Sequence, residues 1–215
     1  MIRKADFPRP HFDLESAHGG QVAGLDEAGR GPLAGPVVAA AVMFRPEAHL
    51  SGELQGLTDS KLMVLADRHR IFAALPRLAW IGLGAASAGE IDRLNILNAS
   101  LLAMHRALDQ LMRLADHAPR HALIDGNISP ALPIPATAVI RGDGTSLSIA
   151  AASVVAKVVR DRAMTRLASR YPQYGWADNA GYGTAAHRSA LQAHGACRHH
   201  RASFAPVREI RGGAK

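Results

Sequence analysis

Five short apolar runs, separated by segments of helical pattern, constrain the fold of this chain most. The first two runs are joined by the glycine-rich connection EAGRGPLAG at 27–35, which is short enough to link a directly paired set of strands. The later runs alternate with helical segments, as in βα units. We therefore predict an α/β domain with a mixed sheet. The predicted strands are QVAGLD (21–26), PVVAAAVMF (36–44), LAWIGLGAAS (78–87), HALID (121–125) and ATAVIRGD (136–143).

The first two predicted helices are defined by their ends. A helical pattern over 61–75 is expected to stop at Pro76, whose ring is incompatible with a continuing helix. Ser87 and Glu90 have the spacing of a capping box, which marks the start of the second helix. That helix carries one apolar stripe at alternating spacings of four and three, which indicates that one face is buried. The stripe consists of Leu97, Leu101, Met104, Leu108 and Leu111.

Two further helices are predicted in the second half of the chain. Thr145 or Ser146 is expected to cap a long helix that reaches about Arg170, before Pro172 stops it. A short helix is predicted over 185–194. Residues 1–20 are expected to form a polar lead-in, residues 21–184 one domain, and residues 185–215 a C-terminal helical extension with a basic tail. No segment inside the central region resembles a linker between independent domains.

The charge of the chain indicates a polyanionic partner. The formal net charge is +7 and the sequence pI is near 10.3, which is typical of proteins that bind nucleic acid or an anionic membrane face. The longest apolar stretch, residues 32–44, is interrupted by Gly35 and Pro36 and is too short to span a bilayer. Nucleic acid is therefore the favoured partner.

The N-terminus lacks the apolar segment of a secretory signal, and the chain has a single cysteine, Cys197. One cysteine excludes an internal disulfide and is typical of a reducing compartment. We therefore expect a soluble, cytoplasmic protein. Nothing in the sequence indicates an obligate oligomer, so a monomer is expected.

Four carboxylates lie where predicted strands end. Asp26 ends the first strand with Glu27 directly after it, Asp125 ends the fourth and Asp143 ends the fifth. Taken singly, Asp125 and Asp143 precede glycine and are better explained as turn formers. Gathered in one cleft, the four would repel one another and raise at least one pKa unless a cation neutralised them. Oxygen ligands suit Mg²⁺ or Mn²⁺.

A basic protein with an acidic pocket is suited to hydrolyse phosphodiesters in nucleic acid. Two divalent ions held by carboxylates align the attacking water and the leaving oxygen. Sequence motifs of phosphate-binding loops, dinucleotide-binding folds, α/β-hydrolases and HExxH metalloproteases are missing. A histidine- and cysteine-rich group near the C-terminus has a spacing that fits no common zinc pattern, so a solvated basic tail is the favoured interpretation. That group consists of His194, Cys197, His199 and His200.

Several ordered motifs identify a family. The stretch GLDEAGRGPLAGPVVAAAV (24–42) resembles the signature of type 2 ribonuclease H, the bacterial ribonuclease HII family. The resemblance covers residues 22 to about 207. Its further blocks are TDSK (58–61), EIDRLNIL (90–97), IDGN (124–127), RGDGTSLSIAAASVVAKVVRDR (141–162), YPQY (171–174), GYGT (181–184) and SFAPV (203–207).

This resemblance implies a ribonuclease H-like fold, with a mixed five-stranded sheet flanked by helices and a C-terminal helical extension. It implies catalytic and metal-binding roles for Asp26, Glu27, Asp125 and Asp143. The implied activity is cleavage of the RNA strand of RNA–DNA hybrids and cleavage 5′ to a ribonucleotide embedded in duplex DNA. The products carry 3′-hydroxyl and 5′-phosphate ends, and the implied cofactor is Mn²⁺ or Mg²⁺, acting by two-metal-ion catalysis.

The resemblance also assigns residues that bind the substrate. The turn of Gly29, Arg30 and Gly31 matches the element that senses the ribose 2′-hydroxyl, although a plain tight turn is the alternative. Tyr182 matches a tyrosine that packs against deoxyribose at the RNA–DNA junction, and a core tyrosine is the alternative. Lys61 matches a residue that faces backbone phosphate, and an exposed, solvated charge is the alternative. Many relatives carry a second lysine where this chain has Leu62.

The long helix carries a polar line, Ser153, Lys157 and Asp161, at spacings of four. For Lys157 we favour an ion pair with Asp161 over a phosphate contact. Two alternatives to the family assignment remain. Another nuclease of the same fold superfamily is disfavoured by the Asp-Glu pair and the glycine-arginine-glycine turn. A non-catalytic nucleic-acid-binding protein is disfavoured because all four acids are present.

Overall fold

A computed structural model describes residues 9–212, without the side chain of His49. The strands form one five-stranded sheet in the order β3-β2-β1-β4-β5. The pairs β1–β2 and β2–β3 are antiparallel, and the pairs β1–β4 and β4–β5 are parallel. The predicted mixed five-stranded sheet is thus confirmed. The strands are β1 (Val22–Ala28), β2 (Val37–Phe44), β3 (Ala79–Ala86), β4 (His121–Asp125) and β5 (Ala136–Val139).

Helices cover both faces of the sheet. Alternate side chains of β2 point to opposite faces: Val42 packs with the helices α2 and α4, and Met43 packs with α3. At Gly24 of β1 an added Cβ would lie 2.2 Å from the backbone of Ser148, so only glycine admits α4 this close to the sheet. The helices are α1 (Asp13–Ala17), α2 (Leu65–Leu78), α3 (Ala88–Leu114), α4 (Leu147–Arg170), α5 (Trp176–Asn179), α6 (Ala185–His194) and α7 (Ala205–Gly212).

Two predicted elements, one helix and one strand, have other bounds in the structure. The helix predicted over 61–75 begins instead at Leu65, and it contains Pro76 and ends at Leu78. Pro76 is tolerated because it lies in the last turn, where little helix remains to be disrupted. Strand β5 stops at Val139, before the predicted end, because Arg141 adopts the left-handed conformation and turns the chain.

The predicted capping signals are formed. Ser87 and Glu90 make both hydrogen bonds of a capping box at α3. Within α3 the backbone of Asn95 is non-helical, which divides the helix into two segments. Of the predicted stripe, Met104, Leu108 and Leu111 are buried, while Leu97 and Leu101 are half-buried. Ser146 caps α4 by accepting the Ile149 N–H.

The two terminal segments are more ordered than the sequence indicates. The first eight residues of the predicted lead-in lie outside the described residues. The remainder carries α1, whose buried Glu15 accepts hydrogen bonds from Ser146 and Ser148 at the start of α4. The expectation of a solvated basic tail was wrong for His200 and Arg201, which are both buried. Charged or polar side chains are buried here because their donors meet backbone and ring acceptors inside the fold.

The C-terminal helices pack on one end of α4. Their core is a cluster of aromatic and aliphatic side chains around the fully buried Trp176. Helix α6 has the predicted bounds and is capped by Thr184. Along residues 9–212, none of the helices combines the length and apolar character needed to cross a membrane.

Candidate active site

Three carboxylates from different elements meet at one edge of the sheet. Asp26 lies on β1, Asp125 ends the parallel neighbour β4, and Asp143 lies in the 3₁₀ turn Gly142–Gly144 after β5. Parallel neighbours end at the same edge of a sheet, so their terminal side chains come together. One oxygen from each of the three lies within 4.8 Å of the others.

Backbone hydrogen bonds fix this cluster. The Oδ1 atom of Asp125 accepts the Gly142 N–H at 2.8 Å, which connects the end of β4 to the turn that carries Asp143. Asp26 accepts the Glu27 N–H at 2.6 Å. The hydrogen bond from Gly142 therefore fixes the turn that carries Asp143 relative to Asp125.

The carboxylates raise one another's pKa. Burial, followed by the charges of Glu27 and Asp125, raises the pKa of Asp26 well above its ordinary value. Burial, followed by the charges of Asp59 and Asp125, raises the pKa of Asp143 to about 6. An all-oxygen set whose charges are costly in the absence of a cation fits a hard divalent metal ion.

Glu27 stands apart from this group. Asp26 and Glu27 are consecutive on a strand, so their side chains leave the backbone in opposite directions. The Glu27 carboxylate instead accepts a hydrogen bond from Arg30 at 3.3 Å. Burial raises the pKa of Glu27, and the attraction to Arg30 offsets only part of that effect. The structure thus brings three of the four predicted acids into contact distance and leaves Glu27 beside them, paired with Arg30.

A fifth acid, Asp59, borders the site, and the sequence analysis gave it no role. Its Oδ1 atom accepts the Lys61 N–H at 2.9 Å. Burial disfavours the charge of Lys61, but the carboxylates, Asp59 first, outweigh it and raise the lysine pKa. The sequence feature that could have indicated a role for Asp59 is its position in the TDSK block, two residues before Lys61.

The TDSK loop is attached to α4. Ser153 donates to the Ser60 hydroxyl at 2.7 Å and accepts the Ser60 N–H at 3.3 Å, and both serines are buried. One turn further along α4, Lys157 forms the predicted ion pair with Asp161 at 2.9 Å. The polar line predicted on this helix therefore makes two structural interactions. Ser153 attaches the loop that carries Lys61, and Lys157 pairs with Asp161.

The glycine-arginine-glycine turn lies against Tyr182. A Cβ added to Gly31 would lie 3.6 Å from the Cε1 atom of Tyr182. The Tyr182 side chain is 46% exposed, so it does not fill the core. Gly29 has a φ of 99°, in the region that favours glycine. The ion pair of Glu27 with Arg30 joins the end of β1, which carries Asp26, to this turn.

The sequence and the fold agree with one family of known proteins. The family model described as Ribonuclease HII matches residues 23–207, which is most of the chain. The chain belongs to the ribonuclease HII family. The Ribonuclease HII of Rhodospirillum rubrum is 58% identical over 203 residues, which cover 93% of this chain and 91% of that protein.

Solved structures of more distant ribonucleases H share the fold. The ribonuclease H2 of Pyrococcus horikoshii superposes with a TM-score of 0.66 at 24% identity, covering 89% of this chain and 97% of the other. Bst-RNase HIII, solved in complex with Mn²⁺, gives a TM-score of 0.70 at 22% identity, covering 90% and 70% of the two chains. At these identities the likeness shows the fold alone.

Membership of the ribonuclease HII family confirms the predicted reaction class. The chain is a divalent-metal-dependent endoribonuclease that hydrolyses RNA in RNA–DNA hybrids. The acid cluster at the sheet edge has the donor chemistry that this reaction class requires.

Proposed function

We propose that this ribonuclease HII cuts on the 5′ side of a ribonucleotide embedded in duplex DNA, as well as within longer hybrids, and leaves 3′-hydroxyl and 5′-phosphate ends. The observation that carries the proposal is the close approach of the Gly31 turn to the exposed Tyr182 ring, with the same turn joined to strand β1 by the Glu27–Arg30 ion pair. A glycine-flanked turn next to an exposed aromatic ring is suited to recognising one ribonucleotide, because backbone groups can approach its ribose and the ring can pack on the neighbouring sugar.

The proposed catalytic and metal-binding residues are Asp26, Glu27, Asp125 and Asp143. Asp26, Asp125 and Asp143 would hold the cation directly, and Glu27 would complete the site from its edge. We propose Mn²⁺ or Mg²⁺, in line with the all-oxygen donors and with Bst-RNase HIII, whose structure contains Mn²⁺. When two such ions are bound, they supply a nucleophilic water and neutralise charge at the leaving oxygen.

The side chains around the acids position the substrate. Lys61 is held at the edge of the cluster and is charged, so it attracts the phosphate backbone. The exposed Gly31 carries no side chain, which lets backbone groups of the turn approach the ribose 2′-hydroxyl. The ring of Tyr182 offers a flat apolar face to the neighbouring sugar. Arg30 carries the one long side chain of the turn and balances the charge of Glu27.

The chain is proposed to act as a monomer on RNA–DNA hybrid and on ribonucleotide-containing duplex DNA in the cytoplasm. Residues 21–184 are proposed as the catalytic domain and residues 185–215 as an extension that supports it. The lone cysteine and the basic charge of the chain agree with this assignment.

The deciding experiment is cleavage of an end-labelled DNA duplex with one internal ribonucleotide, in Mg²⁺ or Mn²⁺, beside an all-DNA duplex and a long RNA–DNA hybrid. We expect one cut 5′ to the ribonucleotide, lost with chelator and absent from the all-DNA control. Cleavage of the hybrid alone would refute the junction specificity and leave the reaction class intact. The end chemistry is checked by ligation and phosphatase treatment of the products.

A further inference from the structure

Arg201 reaches from the C-terminal extension into the glycine-arginine-glycine turn. Its side chain is fully buried. It donates hydrogen bonds to the carbonyl oxygens of Gly29 at 2.5 Å, Arg30 at 2.8 Å and Gly35 at 3.1 Å. One guanidinium therefore holds three carbonyls of the loop that follows β1, although 166 to 172 residues separate them in sequence.

A second buried arginine, Arg160 of α4, holds the rest of the same loop. It donates to the carbonyl oxygens of Ala34 at 3.2 Å and Pro36 at 3.0 Å. Its third bond, at 3.0 Å, is to the carbonyl of Ala180, two residues before Tyr182. Arg160 thus ties the loop after β1 to the segment that carries the exposed tyrosine.

All the hydrogen bonds that the guanidinium groups of Arg160 and Arg201 donate go to backbone carbonyl oxygens. Within residues 9–212 neither forms an ion pair with a carboxylate. Burial, together with the nearby charge of Arg160, lowers the pKa of Arg201 to about 9, which still leaves it charged at neutral pH. A buried cation without a counter-ion is costly, so the carbonyls must be held rigidly towards it.

This arrangement determines where two backbone amides point. In a trans peptide the carbonyl and the following N–H point in opposite directions. Because the carbonyls of Gly29 and Arg30 face Arg201, the N–H groups of Arg30 and Gly31 face away from the core. In the described part of the chain neither of these amides donates a hydrogen bond, and both residues are exposed. Two free donors therefore face the surface beside Tyr182.

We propose that Arg201 is a positioning residue that orients the Arg30 and Gly31 amides as hydrogen-bond donors towards a ribose, with Arg160 fixing the same loop relative to Tyr182. The proposal rests on the proposed function of the turn in recognising a single ribonucleotide. It assigns to the C-terminal extension a direct role in substrate selection.

The test compares R201K with R208K, which changes an exposed arginine of α7 in the same extension. Lysine keeps the charge but does not span three carbonyls. For the duplex with one ribonucleotide we expect kcat to fall about tenfold to a hundredfold in R201K, because small misplacements of a binding group are costly. KM should change by less than about threefold, since most of the affinity comes from phosphate contacts elsewhere. R208K should retain wild-type values.

Amide hydrogen exchange separates positioning from general destabilisation. In R201K we expect faster exchange in peptides covering 29–36, with β1 and β4 protected as in the wild type. Wild-type kcat in a folded R201K, or exchange raised equally across the sheet, would overturn the proposal. If the wild type itself does not cut the single-ribonucleotide duplex, the proposed function fails, while the exchange result still decides whether Arg201 holds the loop.

The wild-type protein carries a second test that does not depend on a folded variant. In protein labelled uniformly with ¹³C and ¹⁵N, the buried guanidinium protons of Arg201 should exchange slowly, and its guanidinium nitrogens should show couplings across hydrogen bonds to backbone carbonyl carbons. Rapid exchange of these protons with solvent would overturn the proposal. Arg208, exposed on α7, supplies the fast-exchanging reference in the same spectrum.

Discussion

The Nε2 atoms of His187 and His200 lie 3.1 Å apart inside the C-terminal core, so they share a single proton. The Nδ1 atom of His200 accepts the Cys197 N–H, which places the His200 proton on Nε2. The Nε2 atom of His187 accepts hydrogen bonds from the His200 Nε2–H and from the Trp176 Nε1–H, and the His187 Nδ1–H donates to the Tyr182 carbonyl. Both rings are therefore neutral in the folded protein.

This neutral pair predicts a loss of stability in mild acid. Burial, followed by the neighbouring His187, lowers the pKa of His200 from 6.5 to about 4. Between these two values the unfolded chain binds a proton that the folded chain does not, so the free energy of unfolding falls as the pH drops from about 6.5 to 4. The contribution of His200 is up to about 3 kcal/mol.

The measurement is urea unfolding of wild type and H200Q from pH 7.5 to 4, because glutamine retains an N–H donor but does not titrate. The stability advantage of the wild type should shrink over this range. A constant difference between the two proteins would show that His200 is protonated in the fold or equally exposed in both states.

Asp125→Asn is expected to reduce hybrid cleavage by at least about a thousandfold, because it removes a charged ligand from the metal cluster. The amide oxygen still accepts the Gly142 N–H, so the turn before Asp143 should stay in place. Duplex affinity, measured by fluorescence anisotropy, should therefore change little. Lost binding with residual turnover would contradict the assignment of Asp125 to the metal.

The two glycines of the recognition turn should respond differently to alanine. At Gly29 the new Cβ would lie 2.0 Å from Nε of Arg160 and occupy a left-handed conformation, so G29A should lower stability by about 2–4 kcal/mol. At Gly31 the nearest atom is 3.6 Å away, so G31A should change stability by less than about 0.5 kcal/mol.

The G31A protein tests the function of the turn without disturbing the fold. Its methyl group would occupy space between the turn and Tyr182, so we expect cleavage at a single ribonucleotide to fall about tenfold or more. Thermal unfolding of G29A and G31A, measured together with cleavage rates, separates the two effects. Wild-type cleavage by G31A would exclude a close approach of the ribose to this residue.

Tyr182→Ala should reduce cleavage at the junction about tenfold by loosening the sugar next to the cut. Because the ring is 46% exposed, folding stability should change little. Tyr182→Phe keeps the ring and serves as the matched control, with near wild-type rates expected if packing is what matters. Equal rates for all three proteins would leave the exposed ring without a role in this step.

Metal binding should release protons in a pH-dependent manner. Asp143 has a pKa raised to about 6 by burial and by Asp59 and Asp125, so below that pH a cation must displace its proton. Mn²⁺ affinity, measured by calorimetry in two buffers of different ionisation enthalpy, should weaken about tenfold per pH unit below 6. D59N removes one repulsive charge, so the pH below which Mn²⁺ affinity begins to weaken should be lower in this variant. The same pH in D59N and wild type would contradict an effect of Asp59 on the pKa of Asp143.

The sequence by itself determined the elements and predicted three of the carboxylates that the fold brings together. Apolar periodicity located β1 to β5 because a strand or helix must bury one face whatever its neighbours are. The acids at the strand ends followed from the same periodicity, since parallel strands end at a common edge. The predicted end of α2 was wrong because a proline in the last turn of a helix disrupts few backbone hydrogen bonds. Local sequence does not distinguish such a proline from one that ends the helix.

Only the tertiary structure decided how the glycine-arginine-glycine turn is held. Nothing near Gly29 or Gly31 in sequence indicates that Arg201 binds their loop, and an arginine in a basic tail is ordinarily solvated. Likewise, the separation of Glu27 from the other three acids and the approach of Asp59 depend on where loops cross the sheet edge. Local patterns report which residues prefer burial, but the partners that satisfy a buried guanidinium or repel a carboxylate are set by contacts between segments far apart in the chain.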